Sequence, residues 1–181
     1  MSLVLGMDTS GNLRFFGIIL GEISVLSHIY SELTSLIKRS HIHMSAIKKN
    51  EKRMILNSLS TILEKKDVFA GCIKVDFQRR LRMFAGRFHS KKKAKNRAYR
   101  EILVRVANIC SYAGVLTTKI FEVHLDSELR DLEPQLRKFF PNASIVLEGF
   151  ASELADIIAY ANYASLDKSF VKTKKFFYIR M

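Results

Sequence analysis

The stretch Leu3-Val4-Leu5-Gly6-Met7-Asp8-Thr9-Ser10-Gly11-Asn12 constrains the fold more than any other part of the chain, because an apolar run ends on a carboxylate and turns at once on a glycine. Such a run reads as a buried strand over residues 3–8. After the Gly11-Asn12 turn, residues 13–21 resume strand chemistry, so the two segments form a hairpin. Asp8 then stands among apolar neighbours, where a charge is costly unless a cation or hydrogen-bond donors satisfy it. A side-chain bond to the adjacent turn is the structural alternative for this residue.

Further along, residues 24–32 are rich in β-branched and aromatic side chains and read as the third strand of an antiparallel meander. From about Ser45 to Lys66 the apolar period becomes helical. Val68 to Asp76 is a near-continuous apolar run, the pattern of a strand buried on both faces, and it closes on a second aspartate. A helix from about Lys95 to Tyr112 is stopped by Gly114, and the strand Thr117 to Asp126 ends on a third aspartate. A short helix over 127–140 is closed by Phe140-Pro141-Asn142, and Ala143 to Glu148 is a last core strand. Ser152 would cap a final helix carrying Glu153, Asp156, Tyr160 and Tyr163 on one side of its apolar stripe. The tail, 172–181, is basic and aromatic and fits either an edge strand or a docking segment. The expectation is one α/β domain over 1–181, a mixed sheet with helices on its faces.

Charge narrows the partner. Thirty Lys and Arg against seventeen Asp and Glu leave a net +13, which points to an anionic partner, nucleic acid foremost. The excess concentrates in a basic insert at about 78–100, with Arg79, Arg80, Arg82, Arg87, Lys91, Lys92, Lys93, Lys95, Arg97 and Arg100. Phe84, Phe88, His89 and Tyr99 interleave with these cations, as base stacking on a strand-binding surface requires, and ten like charges give the segment little reason to pack on its own. No apolar run approaches the roughly 20 residues that span a bilayer, and no basic segment precedes the first hydrophobic stretch, so a cytoplasmic protein without a membrane partner is expected. Cys72 and Cys110 lie too far apart in sequence to suggest a zinc site or disulfide framework and read as buried thiols. His41 and His43 alternate as in an extended linker, and His124 reads as a core histidine more readily than a proton-transfer group.

The element order and its carboxylates resemble the ribonuclease H-like superfold, in which acids lie on the first strand, at the end of the fourth strand and on a late helix. Asp8 and Asp76 match the first two positions and Glu153 and Asp156 the helix, and on this resemblance Asp126 would supply a further ligand. The Asp8-Thr9-Ser10-Gly11 opening together with Leu154-Ala155-Asp156 is similar to a branch whose members begin with an Asp-x-Ser-Gly turn. Glu51 and Glu64 on the first helix have no surroundings that single them out, so the acid set is closer to the resolvase and type 2 ribonuclease H variants. The resemblance implies a nuclease using two Mg²⁺ or Mn²⁺ ions, with Asp8, Asp76, Asp126 and Asp156 catalytic and Asp8, Asp76, Asp126, Glu153 and Asp156 as metal ligands. Asp8, Asp76 and Asp156 are then expected to converge at one end of the sheet, with at least one carboxyl pKa raised by repulsion. Two rivals are a non-catalytic nucleic-acid-binding module on the same fold and an actin-like ATPase using Asp8-Thr9-Ser10-Gly11 as a phosphate loop.

Overall fold

The structure, a computed structural model, describes residues 2–88, 90–163 and 176–181. The opening hairpin pairs β1 (Leu3–Ser10) antiparallel with β2 (Phe15–Glu22) and sets Asp8 opposite Gly17. Gly11, Asn12 and Leu13 all take positive φ in the turn, a conformation that glycine and asparagine adopt at little cost.

The meander is corrected. Residues 24–32 lie inside α1 (Ile23–Ile37), where Leu26, Ile29, Leu33 and Ile37 recur every three or four residues and are buried. Val25, Ile29 and Tyr30 imitate a strand in composition, but a stripe at helical spacing has a sheet face to cover, and that packing overrides β-propensity. An antiparallel trio does form. Its third member is β3 (Phe69–Lys74), which pairs with β2 only after α1 and α2 (Lys49–Lys65) have intervened.

The remaining elements are α3 (Phe77–Phe88), α4 (Lys91–Tyr112), β4 (Ile120–Leu125), α5 (Glu133–Phe139), β5 (Ser144–Leu147), α6 (Phe150–Tyr163) and β6 (Phe176–Arg180). The fold is α/β: six strands in the order β5-β4-β1-β2-β3-β6 form a mixed sheet with β2 antiparallel to its neighbours. The last helix begins at Phe150 rather than at a Ser152 cap, and Ser152 donates its hydroxyl to the Gly149 carbonyl at 2.7 Å from within the first turn. In the tail, Phe176–Arg180 is an edge strand beside β3, while 172–175 lie outside the described residues.

Strand alternation divides the sheet's side chains between two cores. Leu5, Met7, Phe16 and Ile18 pack with Ile102, Leu103 and Val106 of α4. Val4 and Ile19 pack on the other side with α1, α2 and α6. Gly6 and Gly17 also face α6, which approaches so closely that a Cβ on either would come within 3.0 Å of helix backbone. The absent side chains let α6 lie directly on β1 and β2.

The basic stretch also departs from expectation. It folds as the helices α3 and α4, with Phe77, Phe84, Ala94, Ala98 and Tyr99 buried. Phe84 and Tyr99 therefore belong to the core and are not stacking platforms, Phe88 is exposed, and His89 lies outside the described residues. Acids from elsewhere in the sequence meet part of the charge: Arg80 pairs with Glu101, Lys95 with Asp131, and Arg97 with Glu101 at 3.8 Å. Cys72 and Cys110 are free and buried. Among the described residues no helix is long and apolar enough to cross a membrane.

Candidate active site

Register decides which aspartates meet. β4 runs parallel to β1 with Leu125 beside Met7, and the Asp126 amide donates to the Met7 carbonyl at 3.3 Å, so Asp126 leaves its strand next to Asp8. Asp8 shares the sheet face of Gly6 and so looks toward α6, which carries Glu153 and Asp156. Asp8, Asp126 and Glu153 line one pocket of ≈ 220 Å³ together with His41, His43, Glu148 and Ser152. Asp156 stands at its α6 side, near enough to act electrostatically on Asp8.

Asp76 is the exception among the expected acids. β3 lies two strands from β1, and its Cys72 is level with Gly17, the partner of Asp8. Four more residues carry Asp76 about 13 Å beyond that level at the usual rise per strand residue. There its exposed carboxylate accepts the Arg79 amide at 2.9 Å and caps α3. The side chain borders a separate hollow of ≈ 480 Å³ with Asn12, Arg14, Gln78, Arg82 and Glu128.

The electrostatics centre on Asp8. It is only 7 % exposed, and among the described residues the neighbouring Thr9 amide is its sole hydrogen-bond donor. Burial first, then repulsion by Asp156 and Asp126, push its pKa up to about 9; the Thr9 amide opposes this and Glu128 adds to it. Asp156 is pushed up to about 6, again mainly by burial, with the Met44 amide and His43 acting downward and Asp126 and Glu153 upward. Repulsion was the expected cause, yet desolvation is the larger one at both sites.

The two helix acids are held by a segment that runs between α1 and α2. Glu153 accepts the Ile42 amide at 2.6 Å and the Tyr30 hydroxyl at 2.7 Å, and it meets His41 Nδ1 at 2.9 Å. Asp156 accepts the Met44 amide at 2.7 Å. Ile42 and Met44 insert fully into the core, which fixes these amides and turns His41 and His43 outward by alternation. His41 and His43 are the exposed linker residues expected, and they also form part of the pocket wall. Nothing in their local sequence shows this, because the contact spans more than a hundred residues.

His124 is the core histidine expected. Its Nε2 meets Glu122 at 2.8 Å and its Nδ1 accepts the Ala151 amide at 3.3 Å, so both ring nitrogens are engaged. Glu148 and Glu128 were not singled out by the sequence. Glu148 enters the pocket from the turn after β5 with a positive φ of 55°, and Glu128 follows Asp126 by two residues.

Carboxylate oxygens suit Mg²⁺ or Mn²⁺ in kind. In placement, no group of three or more His, Cys, Asp or Glu side chains among the described residues is arranged so that it could hold a metal ion. Glu153 and Asp156 are directed at the 41–44 segment, whereas Asp8 and Asp126 each accept one amide from their own local turn. The sequence matches no known family model and no curated protein.

Proposed function

We propose that the chain is a metal-dependent phosphodiesterase acting on nucleic acid, with Asp8 at the centre of its site. The observation that carries this reading is that Asp8, Asp126 and Asp156 come from β1, the end of β4 and α6 and bear on one another electrostatically. Acids on the first strand, after the fourth strand and on a late helix are the set that the ribonuclease H-like resemblance implies, with Asp126 in the role expected of Asp76. On this reading Asp8 and Asp126 would be the residues to hold a divalent ion beside a bound phosphate. A divalent ion would supply charge stabilisation and an activated water.

The chain's own residues do the rest. The Ile42 and Met44 amides hold Glu153 and Asp156 in place, and Tyr30, whose hydroxyl burial and Glu153 keep protonated, donates to Glu153. Arg79, Arg82, Arg87, Lys91, Lys92, Lys93 and Arg100 are exposed, make no ion pair with described residues, and offer contacts to a phosphate backbone. A separate hollow bounded by Arg14, Arg82 and Glu128 borders this basic surface, and Glu128 acts electrostatically on Asp8.

Cleavage of mixed single-stranded, duplex and hybrid substrates in Mg²⁺ or Mn²⁺ is the test. Asp126→Asn should lower the rate by about a hundredfold or more, in line with removal of one electrostatic partner at a reacting phosphate, while Asp76→Asn should leave it within about twofold. Equal loss in both, or in neither, would remove the assignment of roles. The second reading, a binding module without catalysis, is favoured by the engagement of Glu153 and Asp156 with the 41–44 segment. It predicts affinity falling with salt by a slope of about 0.7 to 0.9 per phosphate contacted, and no cleavage with any metal.

A further inference from the structure

A second hollow of ≈ 390 Å³ adjoins the acid pocket and shares His41 and His43 with it as a common wall. Its character is opposite. Lys38, Arg39, Ser40, His41 and His43 line it with Ala46 and Ile47, and none of these carries an acid. Lys38 closes α1 in the left-handed conformation, with φ 54°, and its ammonium has no partner among the described residues. Arg39 reaches Glu51 at 3.3 Å across a partly exposed surface, and pairs of that kind contribute little and are readily exchanged. Glu153 occupies His41 Nδ1, which leaves Nε2 for another partner, and the side chain is 67 % exposed.

The acid pocket by itself disfavours phosphate, since Asp126, Glu148 and Glu153 line it beside Asp8. A strand entering it needs cations close by, and α3 and α4 pack on the sheet face opposite the one that Asp8 shares with α6. We propose that Lys38, Arg39, His41 and His43 form a phosphate subsite that takes a phosphate of the same strand as the group lying at Asp8. The insert between β2 and β3 then serves two purposes through one short segment: inward amides fix the acids, and outward side chains hold the backbone. This assignment rests on the reading of the acid pocket as a nucleic-acid site, and the chemistry it recognises is the phosphate oxygen.

The test uses the full chain and two probes, inorganic phosphate and an eight-nucleotide oligothymidylate, with the histidine ring Hε1 resonances as readout. His41 and His43 should shift with the oligonucleotide, while His28, which is exposed on α1 and pairs with Glu32 at 3.1 Å, should not. The double variant Lys38→Gln, Arg39→Gln removes only surface interactions and should weaken oligonucleotide binding roughly three- to tenfold, reducing the salt slope by about 0.7 for each phosphate that the variant no longer neutralises. Equal shifts at His28, or unchanged affinity and slope in the double variant, would overturn the subsite. Shifts with inorganic phosphate but none with the oligonucleotide would overturn its assignment to a strand. If Asp8→Asn cleaves like wild type, the nuclease reading fails and the ring shifts still decide the subsite. If cleavage depends on Asp8 but the rings do not shift, the subsite alone fails.

Discussion

Gly6→Ala is expected to cost about 3–5 kcal/mol of stability, at or beyond the upper end of ordinary overpacking penalties. The added Cβ would meet the Ala151 carbonyl of α6 on one side and Ile19 Cγ2 at 2.9 Å on the other. Backbone cannot turn aside as a flexible side chain can, so α6 must lift from the sheet. For a chain of this size the melting temperature should fall by about 10–15 °C. Gly86 provides the matched control, because nothing lies within 4 Å of a Cβ there and the position is inside α3. Gly86→Ala should stabilise by about 0.5–1 kcal/mol, the ordinary helix preference for alanine over glycine. The comparison also bears on the site, since the close approach at Gly6 and Gly17 is what brings Asp156 into electrostatic range of Asp8.

The second large effect is a gain in stability. Burial, Asp156 and Asp126 raise the Asp8 pKa from 3.8 to about 9, so the folded state keeps a proton that the unfolded state releases. Below the unfolded value both states are protonated and stability is unaffected. As pH rises from about 4 toward about 9 the folded state binds more protons than the unfolded one, and stability falls through that window. Asp8→Asn cannot ionise and its amide oxygen can still accept from Thr9, so the variant should be more stable than wild type at pH 7 by about 2–4 kcal/mol. Melting temperatures taken from pH 4 to pH 9 should converge for the two proteins at the acid end and separate steadily above it. Parallel curves would show that Asp8 ionises in the fold at its ordinary pKa.

The elements that carry Asp8, Glu153 and Asp156 were legible in the chain, and the largest misreading traces to one helix. The apolar run into Asp8, the Gly11 turn and the late helix bearing Glu153 and Asp156 are local patterns, and local patterns survive into structure. Residues 24–32 misled because Val25, Ile29 and Tyr30 are strand-formers by composition, while the helical stripe of Leu26, Ile29 and Leu33 is evident only against the sheet face it covers. Counting that helix as a strand moved every later strand by one. Asp76 was thereby counted as closing the fourth strand, whereas it follows β3 and Asp126 follows β4. The basic helices misled in a different way: cations dominate their composition, yet Phe77, Phe84 and Tyr99 recur at spacings that bury one face. His41 and His43 carried no local signal, because only the packing of Ile42 and Met44 directs them to the acids.

The most direct measurement is the rate at which one preparation of wild-type protein and one of Asp8→Asn cleave a mixed nucleic-acid pool in Mn²⁺, both below their melting temperatures. The account predicts metal-dependent cleavage by wild type and a loss of about a thousandfold or more in the variant, in a protein that is at the same time more stable. Gain of stability with loss of activity is the signature of a buried carboxyl group retained for chemistry. Cleavage by Asp8→Asn at the wild-type rate, or no cleavage by wild type with either metal, would contradict it.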